Sequence, residues 1–175
     1  IECYDTEKRC MVGHLRGHHL KIRTLSCDNM RPLLLSCSAD AIILWDSSDL
    51  SRVRQLALPR PSVGAVLLSD GERMAACFEH DVRLWRTDDF TLEAKLKLPV
   101  SHAKVRLRTL AVDESAALIA VGGDLGVVAV WSLREKTLLK LLQIPSGASI
   151  AGAAWIPSSN YLALVCDDGM LHLTV

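Results

Sequence analysis

Three of the four tryptophans in this 175-residue chain close short apolar runs of one shape. Ala41-Ile-Ile-Leu-Trp45-Asp46, Asp81-Val-Arg-Leu-Trp85-Arg86 and Val127-Val-Ala-Val-Trp131-Ser132 each set an aliphatic residue directly before the indole. Ile1-Glu2-Cys3-Tyr4-Asp5 reads as a degenerate earlier copy, with Tyr4 in the tryptophan place. Met170-Leu-His-Leu-Thr174-Val175 reads as a late one, with Thr174 there. From Tyr4 to Trp45, Trp85, Trp131 and Thr174 the intervals are 41, 40, 46 and 43 residues. Aromatic residues are only 5% of the chain, so this placement organises the reading of everything else. Trp155 falls outside the series, in a different predicted strand.

Within each period, four strand-length runs are separated by turn residues. They are 8–15, 20–26, 33–37 and 41–46; then 52–58, 62–68, 73–78 and 82–86; then 92–98, 104–112, 117–121 and 127–132; then 138–143, 149–155, 161–166 and 170–175. Short runs rich in Val, Ile, Leu and Trp and bounded by Gly, Asp, Ser and Pro favour strands. Several, such as Leu33-Leu-Leu-Ser-Cys37, are apolar on both faces, as expected of sheets stacked on each side. A period of about 40–45 residues with four strands each is the mark of β-propeller blades. With the run at 1–5 the count reaches 17, one more than four complete blades need. The expected fold is therefore all-β: about four four-stranded blades over 1–175, in repeats 5–46, 47–86, 87–132 and 133–175. The odd strand predicts a section of a larger propeller, with its open blade edges covered by remaining blades or another chain; the rival expectation is a four-bladed closure with an added strand.

The unit from Gly17-His18 through Ser36-Cys37-Ser38-Ala39-Asp40 to Leu44-Trp45-Asp46 resembles a WD40 repeat, and the pattern extends in eroded form along the chain. The resemblance implies a whole propeller of seven blades, and a hydrogen-bonded tetrad of His18, Ser36, Asp40 and Trp45 within one blade. The turn after Asp40 is one residue short of the usual pattern and lacks its Gly. A partial tetrad, His102, Asp124 and Trp131, recurs at the same His-to-Asp interval, with Ser101 for the Gly and Ala120 assigned to the serine place. The second unit keeps Glu79-His80-Asp81 and the fourth Asp167-Asp168-Gly169, without the Gly-His pair.

Other residues offer chemistry that simpler readings outweigh. His18, Ser36 and Asp40 also compose a nucleophilic triad on paper, but a nucleophilic serine belongs on an exposed, strained turn with an oxyanion hole. Ser36 lies in an apolar run, so a structural network is expected. His14 and His18 have metal-ligand spacing on a helix, but here they straddle a strand end and a glycine loop. Asp88-Asp89 and Asp167-Asp168 read as turn residues. Lys104, Arg106 and Arg108 alternate as if on one side of a strand; ion pairing with Asp or Glu is the expected arrangement. Trp131-Ser132-Leu133-Arg134 partly resembles the Trp-Asp-x-Arg box of cullin-4 substrate receptors, with Ser132 in place of the acid. Leu15-Arg16-Gly17 lacks the basic pair used for phosphoinositides, and no phosphate-binding glycine loop occurs.

Composition bounds the function classes. Twenty basic residues against twenty acidic ones argue against bulk capture of nucleic acid or anionic membrane. The uncharged stretch 141–166 is interrupted by Pro145, Pro157 and two glycines, so no membrane helix is expected. The start lacks a signal-peptide layout. Six cysteines without a Cys-x-x-Cys pair predict reduced, mostly buried thiols in an intracellular protein, cytoplasmic or nuclear. The expected function is a non-catalytic scaffold that binds proteins or peptides, with no cofactor and no metal. Its expected contact loops carry His19, Lys21, His80, His102, Lys104 and Asp124. The alternatives are a substrate receptor of a cullin-4-type ubiquitin ligase, docking through Trp131 and Arg134, and an enzyme with a site at the channel mouth.

Overall fold

The computed structural model describes residues 1–28, 31–113, 117–157 and 159–174. Val175, the last residue of the run at 170–175, lies outside them. The described residues hold 17 strands in five antiparallel sheets. Sheet 1 pairs β1 (Glu2–Asp5) with β2 (Cys10–His14). Sheet 2 holds β3 (Ile22–Cys27), β4 (Leu33–Ser38), β5 (Ala41–Asp46) and β6 (Arg52–Ala57). Sheet 3 holds β7 (Ser62–Leu67), β8 (Arg73–Phe78), β9 (Asp81–Arg86) and β10 (Leu92–Lys97). Sheet 4 holds β11 (Leu107–Val112), β12 (Leu118–Gly123), β13 (Val127–Ser132) and β14 (Leu138–Gln143). Sheet 5 holds β15 (Ile150–Trp155), β16 (Leu162–Cys166) and β17 (Leu171–Thr174). Each is a simple meander in which neighbours in sequence pair in space. Together they form a partial β-propeller.

The first strands of sheets 2 to 5 lie side by side: β3 meets β7, β7 meets β11 and β11 meets β15. They are the inner strands, and the fourth strands form the outer rim. Four seams carry the core. Leu15, Ile43 and Trp45 close the first with Cys3 and Leu50; Leu35, Ile42, Leu44, Met74 and Phe78 fill the second. Leu84, Ile119, Val121 and Trp131 fill the third, and Val128, Ile150, Leu162 and Leu164 the fourth. Runs such as Ala41-Ile-Ile-Leu-Trp45 are buried along their whole length because one face meets the preceding sheet and the other the next. Each fully buried Leu or Ile contributes about 1.5–3 kcal/mol to holding the seams. Close approach at the inner strands uses glycine: a Cβ on Gly64 would sit 2.7 Å from Thr24 Cγ2. There Thr24 Oγ1 instead accepts from Ala65 N–H at 2.9 Å and donates to Ala65 O at 3.0 Å.

The predicted run 104–112 begins later than expected. A 3₁₀ turn at Val100–His102 and a bend precede β11, so Lys104 and Arg106 lie before the strand and only Arg108 is in it. Alternating Lys and Arg imitated a strand there.

Up-and-down order fixes which loops share an end. Connections from a fourth strand to the next first strand, and those from second to third strands, emerge at one end of every sheet. Turns from third to fourth strands emerge at the other, beside the tryptophans.

Candidate functional site

Sheet 2 carries a polar relay. Trp45 Nε1–H donates to Ser36 Oγ at 2.8 Å, and Ser36 Oγ lies 2.7 Å from His18 Nε2. His18 Nδ1 lies 2.8 Å from Ser38 Oγ, which donates to Asp40 Oδ1 at 2.7 Å. Because the Asp40 carboxylate only accepts, the Ser38 proton is committed to it, and Ser38 accepts from His18 Nδ1–H. His18 Nε2 then accepts from Ser36 O–H. One neutral histidine tautomer thus satisfies every hydroxyl and ring nitrogen in the relay. Burial lowers the His18 pKa, which favours that neutral form. The Ser38 hydrogen bond holds Asp40 below its ordinary value. The four residues named from sequence are joined, but through a fifth: Ser38 stands between the imidazole and Asp40. The short turn after Asp40 accompanies this insertion. Ser36 is fully buried, with its oxygen engaged by the indole and the imidazole, so it presents no accessible nucleophile.

The other sheets replace the relay. In sheet 3 the pairing of Ala76 with Arg83 matches that of Ser36 with Ile43, so alanine holds the serine place. Buried Asp81 instead takes Arg60 Nη2–H at 2.7 Å and Arg83 Nε–H at 3.3 Å. Both guanidiniums lie over Phe78, at 5.6 and 4.7 Å, and Phe78 meets Trp85 at 6.1 Å. Sequence reasoning missed Arg60, Asp81 and Arg83; acid and bases flanking an aromatic beside the tryptophan strand were the available signal. In sheet 4, Val121 rather than Ala120 occupies the serine place, since it pairs with Ala129 as Ser36 pairs with Ile43. The turn at Asp124–Gly126 is longer than its sheet 2 counterpart, and counting back from the aspartate slips by one. His102, Asp124 and Trp131 are not assembled: His102 Nδ1 bonds Ser101 Oγ at 2.9 Å, Trp131 is buried in the third seam, and two arginines hold Asp124.

Those arginines form a charge chain across three sheets at the loop end. Arg106 Nε is 3.1 Å from Asp124 and 3.8 Å from Glu79; Arg108 Nη1 is 3.3 Å from Asp124 and 3.0 Å from Asp167. Arg23 donates to Ser62 O across the second seam. A cavity of about 450 Å³ opens among Arg23, Glu79, Arg106, Arg108 and Asp124. Its lining sets three arginines against two carboxylates: Arg106 and Arg108 are ion-paired, and Arg23 donates to a backbone carbonyl. Among the candidate loop residues, His19, Lys21, His80 and Lys104 are exposed, and His80 Nδ1 donates to Val105 O at 3.2 Å. All six candidates, His19, Lys21, His80, His102, Lys104 and Asp124, fall in connections at one end of the sheets.

The remaining motifs resolve into turns and core. Asp88 pairs with Arg86, Asp89 Oδ1 accepts from Thr91 N–H at 2.8 Å, and Asp168 Oδ1 from Met170 N–H at 3.0 Å. His14 lies in β2 opposite Glu2. Trp131 is 2% exposed, so of the box at 131–134 only Arg134 faces solvent, at the end away from the loop residues. Cys37, Cys77 and Cys166 have thiols raised by burial, which keeps them protonated and poorly nucleophilic.

Residues 9–46, the unit that carries the relay, match the family described as WD domain, G-beta repeat. The fold is a partial β-propeller of WD40 type. Over 97% of its length it superposes on the β-propeller domain of Cps50 (Swd1) from Myceliophteria thermophila, covering 57% of that chain with a TM-score of 0.84 at 24% identity. In sequence it is 26% identical over 183 residues to TBC1 domain family member 31 of Xenopus tropicalis and 24% identical to the human protein of that name. It is 23% identical over 182 residues to WD repeat and HMG-box DNA-binding protein 1 of Mus musculus. These alignments cover 98% of this chain but 16–17% of those proteins, so the WD40 section spans a minor part of the relatives' length. No helix among the described residues is long and apolar enough to cross a membrane.

Proposed function

We propose that this WD40 section is a non-catalytic, intracellular scaffold that binds protein or peptide partners through the loop end of its sheets. One observation carries the reading: the exposed His19, Lys21, His80 and Lys104 sit at the same end of three consecutive sheets, on loops anchored by the His18 relay and the Arg106–Asp124–Arg108 chain. A rigid frame presenting variable loops suits recognition. The relay and the buried Asp81 cluster then serve the frame, and the repeats 5–46, 47–86, 87–132 and 133–175 each supply one outer strand to a sheet and three strands to the next. We propose further that the apolar outer face of sheet 5 receives another propeller sheet. Val165, Leu171 and Leu173 hold positions equivalent to Cys37, Ile42 and Leu44, which are buried in the second seam.

Affinity capture with quantitative mass spectrometry tests the scaffold reading. A His19→Ala, Lys21→Glu, Lys104→Glu variant should lose the proteins that the wild type retains. Arg134→Ala, at the opposite end, should keep them. Loss confined to Arg134→Ala, together with a ligase adaptor among the lost proteins, would favour the substrate-receptor alternative instead.

A further inference from the structure

Four residues with side chains share a left-handed backbone at one point of the repeat. Arg9, Leu50, Phe90 and Lys136 have φ of 52°, 62°, 59° and 58°, and each stands five positions after Tyr4, Trp45, Trp85 and Trp131. The turns are alike: Asp46 N–H bonds Ser51 O at 2.9 Å, Arg86 N–H bonds Thr91 O at 3.0 Å and Ser132 N–H bonds Thr137 O at 2.9 Å. Ladder register shifts at the marker aromatic in all four. Left-handed backbone costs a residue with a Cβ about 1–2 kcal/mol, and glycine would avoid it. None of the four is glycine.

What the last three side chains touch accounts for this. Each reaches the outer strand of the preceding sheet. Leu50, after β5, packs on β2, where a Cβ on Gly13 would collide with it. Phe90, after β9, lies under Arg54 of β6, whose guanidinium carbon is 5.9 Å from the ring centre. Lys136, after β13, brings Nζ to 3.9 Å from Glu93 Oε2 of β10. One contact is apolar, one is cation–π and one is ionic, yet position and direction repeat.

We infer that the residue five positions after each marker aromatic is a rim latch, joining its sheet to the outer strand of the sheet before it. The inner strands hold the seams near the axis and the tryptophans hold them from the third strands; the latches hold them at the circumference. Arg9 has the same backbone but makes no side-chain hydrogen bond or ion pair with another described residue, so it is the internal control.

Thermal denaturation of latch variants tests this. Glu93→Lys or Lys136→Glu alone should each lower Tm by about 1–3 °C at low salt. The charge swap carrying both should restore it, and raising salt to about 0.5 M should erase the single-variant losses by screening. Phe90→Ala and Arg54→Ala should be non-additive at any salt, and Arg9→Ala should leave Tm unchanged. Full additivity in both pairs would overturn the inference. So would an Arg9→Ala loss as large as that of Phe90→Ala, which would assign the effect to the turn rather than the seam.

Discussion

Ser36 occupies the centre of the polar relay, accepting from Trp45 and bonding His18 inside an otherwise apolar strand. Removing its hydroxyl strands a buried indole N–H and an imidazole nitrogen together. Ser36→Ala should therefore destabilise the chain by about 1–3 kcal/mol. In a domain of this size that is a Tm loss of roughly 2–10 °C, readable by circular dichroism or calorimetry. The same relay sets a pH dependence. Burial depresses the folded-state pKa of His18, whereas an unfolded histidine titrates near about 6.5. As pH falls through that value, the unfolded chain takes up a proton that the folded chain resists, and folding weakens. The His18 contribution is fully present above the unfolded pKa and is lost as pH drops towards the depressed folded one. Urea midpoints between pH 8 and 5 should fall more steeply for the wild type than for His18→Gln. A protonated His18 would point N–H groups at both serines, and Ser36 would then have to accept from two donors.

Among the elements, strand existence was legible in the sequence and strand chemistry only in part. Ala41–Asp46, Arg73–Phe78 and Val127–Ser132 match the expected bounds because apolar residues buried on both faces leave no ambiguity about where a strand runs. Where charge replaced that pattern, as at Lys104 and Arg106, the expected strand began too early. The relay was partly legible, since the spacing of His18, Ser36, Asp40 and Trp45 is local. Ser38 was not singled out, because its role depends on the imidazole's orientation. Sheet 3 was illegible in the same way: Arg60 reaches Asp81 across 21 residues, a pairing that only the fold creates. The left-handed turn residues were hidden for a different reason. Leu, Phe, Lys and Arg do not announce positive φ, and the contact that maintains it lies in the preceding sheet. Arg9, which has no such ionic or hydrogen-bonded partner among the described residues, should gain from relief of its backbone. Arg9→Gly should stabilise by about 0.5–1 kcal/mol, seen as a higher urea midpoint with an unchanged slope.

At the scale of the whole molecule, period and strand count led to the arrangement observed: five sheets stacked in sequence order as part of a WD40-type propeller. Its two ends differ in kind. One collects the exposed loop residues, the relay and the charge chain; the other carries the repeating turns with their left-handed residues. The scaffold reading places recognition at the first end and structure at the second. Hydrogen exchange of the chain, alone and with a captured partner bound, distinguishes the two most directly. The account predicts new protection in the connections at 15–21, 79–80 and 98–106, with turns 46–51, 86–91 and 132–137 unchanged. Protection confined to those turns, with the loop end still exchanging freely, would contradict it.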